Sequence, residues 1–128
     1  MAVLVTAEDD DDIRFVIQRV LRNAGHTVID TGDGVEALAA VREHHPHAVV
    51  TDFRMPRMDG LQLCQAIHDD PELRHIPVVV VSGSIEAYTA QDLECFDGVV
   101  SKPFVPGELL SHVNEALAGA ADQPLADG

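Results

Sequence analysis

Carboxylates, a hydroxyl and an ammonium group stand just past short apolar runs in this chain: the acidic run Glu8-Asp9-Asp10-Asp11-Asp12, then Asp52, Ser82 and Lys102. Two unit charges ~4 Å apart repel by roughly 1–4 kcal/mol between the dielectric of water and that of a protein surface. Gathering Glu8, Asp9 and Asp52 at one edge is therefore unfavourable unless a cation joins them. Oxygen ligands with no His or Cys beside them suit a hard ion, and a small protein ligand set with room for water suits Mg²⁺. Helix capping is the competing account, because Asp at a helix start accepts backbone N–H bonds and meets the positive end of the dipole. Asp10, Asp11 and Asp12 read as caps and dipole partners, whereas Glu8 and Asp9 sit closer to the preceding apolar run. No G-x-G-x-x-G or G-x-x-x-x-G-K-[ST] follows that run, which argues against dinucleotide or P-loop chemistry. An anion approaches such an acidic edge only across the cation. Lys102 and Ser82 would then complete its site, one as a point charge and the other as a hydrogen-bond donor. Taken singly they read as a snorkelling lysine and an ordinary serine; their joint placement carries the argument.

The elements that must position these groups are legible from periodicity. Val3-Leu4-Val5-Thr6-Ala7 precedes Ile13, Val16, Ile17, Val20 and Leu21, a helical spacing that stops before Gly25. Thr27-Val28-Ile29 precedes Val35, Leu38 and Val41; Ala48-Val49-Val50 leads through Pro56 and Gly60 to Leu63, Cys64 and Ile67. Val78 to Val81 precedes a weaker helical segment, about Glu86 to Glu94, and Val99-Val100 precedes Leu109, Leu110, Val113 and Leu117. Strand and helix alternate through five repeats, and strands without polar alternation are covered on both faces, the habit of parallel sheets in α/β folds. In such sheets ligands bind outside the carboxyl ends of the strands, which is where the acids, Ser82 and Lys102 fall. The segment 120–128 has no apolar period and reads as a flexible tail or linker stub after a domain of residues 1–119.

Composition narrows the partners. The chain has 128 residues and a formal net charge of −14, which repels phosphate backbones and anionic lipid and argues against direct nucleic-acid or membrane binding. Two cysteines make no disulfide framework. Met1 to Ala7 is too short for a signal-peptide core, and no apolar run is long enough to cross a bilayer. The expectation is a cytoplasmic single domain. His44, His45 and His47 flank Pro46 at a helix end, where the dipole suits them, and read as that rather than as a transition-metal cluster. Cys64 lies on an apolar helix stripe and reads as core.

Together these pieces resemble the receiver domain of two-component response regulators from about Val3 to Ala118. The resemblance rests on Glu8-Asp9 after the first strand, Asp52 within Thr-Asp-Phe-Arg-Met-Pro-Arg-Met-Asp-Gly (51–60), Ser82 after the valine run, and Lys102-Pro103-Phe104. It implies a flavodoxin-like, doubly wound (βα)₅ sandwich with a parallel sheet in the order 2-1-3-4-5. It implies that Asp52 accepts a phosphoryl group from a phosphohistidine on a histidine kinase or phosphotransfer protein. It implies that Glu8, Asp9, Asp52 and the backbone carbonyl of Arg54 hold Mg²⁺, with Asp9 and Asp52 the direct carboxylate ligands. Ser82 and Lys102 would bind phosphoryl oxygens. Pro103 would follow a cis bond that aims the lysine, and Gly60 would give the turn after Asp59 its backbone freedom. Ile13, Phe15, Pro103 and Phe104 are candidate docking contacts for the donor. The output would be a switched surface around the fourth helix, fifth strand and fifth helix that binds a downstream protein. Such a domain catalyses its own phosphorylation and dephosphorylation but is a signalling switch, not a turnover enzyme.

The chain departs from the family pattern in places. Val99 stands where a tyrosine or phenylalanine is common, so an aromatic swing at that position is not available. The stretch from Ser82 to Lys102 is slightly short, which predicts an abbreviated fourth helix. Arg54 and Ser84 flank the site and would influence phosphoryl lifetime. Two other readings stand beside the switch: a receiver-shaped interaction module that works without phosphorylation, and a Mg²⁺-dependent phosphohydrolase with an aspartate nucleophile. The hydrolase reading wants a second Asp two residues past Asp52, where this chain has Arg54.

Overall fold

Short β-branched runs form the strands and the 3.6-residue stripes form the helices between them. The structure, a computed structural model, describes residues 2–83 and 88–122. Its strands are β1 (Val3–Ala7), β2 (Thr27–Thr31), β3 (Ala48–Asp52), β4 (Val78–Ser82) and β5 (Gly98–Ser101). Its helices are α1 (Asp11–Asn23), α2 (Gly34–His44), α3 (Gly60–Asp69), α4 (Ala90–Glu94) and α5 (Pro106–Asp122). The strands pair in parallel in the order β2-β1-β3-β4-β5, the doubly wound arrangement expected from the resemblance. Every residue of β3 and β4 is buried, as strands covered on both faces must be. On one face Val5, Val49, Val78 and Val80 pack with Ala37 and Val41 of α2 and with Leu63, Cys64 and Ile67 of α3. On the other, Leu4, Val50, Val79, Val81 and Val100 pack with Ile17 and Leu21 of α1 and with Leu109 and Val113 of α5. The strand order reverses between β1 and β3, and the crevice at their carboxyl ends is the place such a sheet offers a ligand.

Local chemistry accounts for the helix starts. The Asp10 carboxylate accepts from the backbone N–H groups of Asp12 (2.9 Å) and Ile13 (3.0 Å), and Asp11 and Asp12 occupy the first turn of α1. The helix ends at Ala24, and Gly25 takes φ +96°, the left-handed conformation glycine adopts freely. Asp59 and Gln62 cap α3 reciprocally.

Three expectations change in the fold. The described part of the fourth helix spans only Ala90–Glu94 rather than 86–94, and none of its residues is buried; residues 86 and 87 of the expected segment lie outside the described ones. Helix α5 runs to Asp122, three residues into the segment read as a tail, because a helix can continue on propensity alone after its apolar stripe ends. Residues 123–128 lie outside the described ones. Gly60 is required by proximity, not by backbone freedom: it opens α3, and a Cβ there would collide with the backbone carbonyl of Asp52. The left-handed residue in that connection is Arg57, at φ +69°. The histidines keep their helix-end reading: His45 ends α2 in the left-handed region, and His47 Nδ1 accepts from the backbone N–H of Val3 at 3.0 Å.

Candidate functional site

The carboxyl ends of β1, β3, β4 and β5 bring Glu8, Asp52, Ser82 and Lys102 to one edge. Glu8 follows β1, donates its backbone N–H to the Thr31 carbonyl at 3.1 Å, and is only 1% exposed. One of its carboxylate oxygens accepts from the Asp10 backbone N–H (3.1 Å) and the other from Lys102 Nζ (3.0 Å). Asp52 closes β3; its Oδ1 accepts from the Phe53 backbone N–H at 2.8 Å, and its Oδ2 lies 3.3 Å from Lys102 Nζ. Lys102 follows β5, donates its backbone N–H to the Ser82 carbonyl at 3.0 Å, and precedes a cis bond to Pro103. Its ammonium thus bridges two buried carboxylates. Asp9 is exposed, yet carboxylate oxygens of Glu8, Asp9 and Asp52 all lie within 4.8 Å of one another.

This crowding has an electrostatic signature. Burial, reinforced by the charge of Asp52, pushes the Glu8 carboxyl up to about 7, against the opposing bonds from Lys102 and the Asp10 N–H. Burial works to lower the Lys102 ammonium, but its bond to Glu8 and the charges of Asp52 and Glu8 outweigh that and raise it. A buried carboxylate pushed toward neutrality beside another acid marks an edge that added positive charge would stabilise. One lysine does not neutralise three carboxylates. The donor set is all oxygen, so the group fits a hard divalent cation.

The connection after β3 is latched from outside. Arg57 forms an ion pair with Asp33, the N-cap of α2, whose carboxyl it holds below the usual carboxylate range. A Cβ on Gly34 would collide with Met58, so α2 and this connection approach closely there.

Tyr88, the chain's single tyrosine, reaches the same edge from before α4. Its ring stacks on Phe53 with centroids 3.7 Å apart, and its hydroxyl lies 3.5 Å from Ser82 Oγ and accepts from Arg54 Nε at 3.2 Å. Position 99, where the family commonly carries an aromatic, is valine, and an aromatic ring arrives instead from just before α4, which the sequence analysis did not anticipate. The signal was present in a lone tyrosine six residues past Ser82, but no periodicity places a loop side chain. Arg54 therefore faces Tyr88, and Ser84 lies outside the described residues. Tyr88→Ala is expected to destabilise the fold by about 1 kcal/mol or more, the scale of a stacked aromatic pair together with lost burial. Tyr88→Phe keeps the stack and should cost less. Urea unfolding of the two variants checks the order.

Of the proposed docking residues, Ile13, Pro103 and Phe104 line one apolar hollow beside the acidic edge, together with Asp12, Val16 and Lys102. Phe15 does not line it; its ring points elsewhere on α1, 5.9 Å beneath the Arg19 guanidinium. Val16, 46% exposed, was not anticipated because its helical phase counts it as core.

Comparison with known proteins gives one consistent result. A family model described as the response regulator receiver domain matches residues 3–114. The chain is 32% identical over 123 residues to the DNA-binding response regulator MtrA of Mycolicibacterium smegmatis, covering 94% of this chain and 53% of that one. The chain spans about half the length of several curated relatives it matches. The chemotaxis response regulator CheY4 of Vibrio cholerae superposes with a TM-score of 0.84 at 25% identity, covering 91% of this chain and 98% of that one. The receiver domain of the sensor histidine kinase PA1611 from Pseudomonas aeruginosa, solved with magnesium in its active-site cleft, superposes with a TM-score of 0.82 at 22% identity, a likeness of fold alone; it covers 91% of this chain and 98% of that one. No helix among the described residues is long and apolar enough to cross a membrane.

Proposed function

Because this chain belongs to the response regulator receiver domain family, a family of two-component signalling switches, we propose that it accepts a phosphoryl group on Asp52 from a phosphohistidine donor. The observation that carries the reading is the ammonium of Lys102 held 3.0 Å from Glu8 and 3.3 Å from Asp52 at an edge where a third carboxylate, Asp9, converges. Glu8, Asp9, Asp52 and the Arg54 carbonyl would hold Mg²⁺, which when bound neutralises the acids and offsets the negative charge of an incoming phosphoryl group.

The chain's own residues do the rest. Asp52 Oδ attacks phosphorus, the P–N bond to the donor imidazole breaks, and the electron pair leaves with the imidazole. Lys102 already points at Asp52, so its ammonium meets the equatorial phosphoryl oxygens without reorganisation. Ser82 donates its hydroxyl to another of those oxygens. The backbone N–H of Phe53, bonded to Asp52 Oδ1, fixes the carboxylate's orientation and leaves Oδ2 on the side of Lys102. The hollow of Ile13, Pro103 and Phe104 receives the donor's apolar surface. The dianionic group then draws Ser82 inward. That pull shifts the surface of α4, β5 and α5, on which a downstream protein binds. Hydrolysis of the acyl phosphate resets the switch.

The test is incubation of the metal-stripped protein with a small acyl phosphate, with and without Mg²⁺. One hydroxylamine-labile phosphate on Asp52, dependent on Mg²⁺ and absent from Asp52→Asn, is expected. Steady phosphate release without a trapped aspartyl phosphate would favour a hydrolase. No modification under any condition would leave a receiver-shaped interaction module.

A further inference from the structure

A second convergence of ligating atoms lies on the opposite flank of the sheet from α1 and α5, between α3 and α4. Cys64 and His68 are four residues apart on α3 and so share a face. Cys95 caps the carboxyl end of α4. Cys95 Sγ lies 3.4 Å from His68 Nδ1, Cys64 Sγ donates to the Cys95 carbonyl at 3.0 Å, and the three side-chain ligand atoms all lie within 4.8 Å of one another. We infer that Cys64, His68 and Cys95 form a binding site for a thiophilic d¹⁰ cation of the Zn²⁺ type, separate from the acidic edge.

Bond lengths make the fit quantitative. Zn–S bonds of about 2.3 Å and Zn–N bonds of about 2.0–2.1 Å in a tetrahedron put ligand atoms about 3.5–3.8 Å apart. The observed cluster meets that with shifts of about an ångström or less. Two sulfurs and one imidazole make a soft set that hard Mg²⁺ does not favour, and three protein ligands leave a fourth position for water or an exogenous donor. The charges of Asp97 and Asp69 act on Cys95, adding to the negative field that a cation would meet. A plain core role explains Cys64, which is fully buried, but not why a half-buried cysteine and a histidine from other turns point their ligating atoms at it. A disulfide would leave His68 unused, and a buried, protonated Cys64 thiol is a poor nucleophile for forming one.

Burial holds both thiols above their ordinary range, so they are protonated in the ion-free protein near neutral pH. Binding therefore balances as Zn²⁺ plus two thiols giving two zinc-bound thiolates and two protons. The affinity should fall roughly a hundredfold per unit of pH lowered. The consequence for the fold is specific: α4 is five residues long and buries none of them, so an ion shared with α3 would cross-link a lightly held helix to a well-packed one.

The test uses the reduced, chelator-stripped full chain in saturating Mg²⁺, titrated with Co²⁺ and then Zn²⁺. One equivalent of Co²⁺ producing a thiolate-to-cobalt charge-transfer band, bleached by one equivalent of Zn²⁺, is expected. Cys95→Ser and His68→Ala, both at half-buried positions, should each weaken binding at least tenfold, whereas Asp52→Asn should keep the band. Uptake without a thiolate band, or a band unchanged in Cys95→Ser or in His68→Ala, overturns the site. Uptake lost in Asp52→Asn but kept in Cys95→Ser and His68→Ala places the ion at the acidic edge and also overturns it. Circular dichroism of each variant separates a lost ligand from a lost fold.

Discussion

Replacing Lys102 with alanine is expected to slow phosphorylation of Asp52 by about 10²–10³, the range measured when one preorganised donor to a developing oxyanion is removed. The magnitude follows from where the ammonium sits. At 3.3 Å from Asp52 Oδ2, with its side chain mostly buried, Lys102 is placed before the donor arrives and needs no rearrangement to meet a phosphoryl oxygen. A surface lysine swinging in from solvent would contribute much less. Lys102→Arg keeps the charge but substitutes a planar fork for a compact point charge, and should recover only part of the rate. The alanine variant also leaves Glu8 and Asp52 facing each other without a cation between them. Its melting temperature should therefore fall in EDTA and recover in Mg²⁺ more than that of the unmutated protein. Rates are read as Asp52 phosphate formed against time at saturating Mg²⁺, where the fold is restored. An alanine variant within threefold of the unmutated protein under those conditions would remove Lys102 from the chemistry.

Much of this arrangement was legible in the sequence because it rests on rules local to each repeat. Apolar runs of β-branched residues become buried parallel strands, and the residue that closes or follows each strand reaches the ligand-binding edge whatever the helices do; the placement of Asp52, Ser82 and Lys102 follows from that. The division of the acidic run was equally local, since an N-cap needs its carboxylate within reach of the next two or three backbone amides, which Asp10 satisfies. What escaped was set by packing between segments distant in sequence. Tyr88 stacks on Phe53, and the Asp33–Arg57 pair joins two loops, neither with a period to announce it. Gly60 was recognised as important for the wrong cause, because a sequence shows that a side chain is missing but not which backbone passes through the space. The bounds of α4 belong to the same class: the short stretch from Ser82 to Lys102 announces an abbreviated helix, but five residues carry too little periodicity to say where it starts. Cys64 was read as core, and it is buried there, but its meeting with Cys95 appears only once α3 and α4 are placed.

The pH dependence of stability gives the sharpest check on the electrostatics of the acidic edge. The Glu8 carboxyl is pushed from 4.5 up to about 7, first by burial and then by the charge of Asp52. Its folded form therefore holds a proton more tightly than the unfolded chain does. The resulting stabilisation is fully present below the unfolded value and is lost as pH rises through the folded one. In metal-free buffer this group should thus remove on the order of 3 kcal/mol of stability between pH 5 and 8. His26 contributes with the opposite sign: burial lowers its imidazole, so its share of stability grows as pH rises. The comparison must therefore be made against Glu8→Gln, which keeps the shape, cannot ionise and leaves His26 untouched. In EDTA the two proteins should have urea midpoints that diverge steadily above pH 5, with the glutamine variant the more stable at pH 8. Added Mg²⁺ should reverse that order at pH 8, because only the ionised glutamate offers the ion a full charge, and should do little at pH 5, where the ion must first displace a proton. Parallel midpoint curves across this range would mean that Glu8 ionises as freely in the fold as outside it, and the crowding of acids at the strand ends would then have no energetic consequence for a cation to relieve.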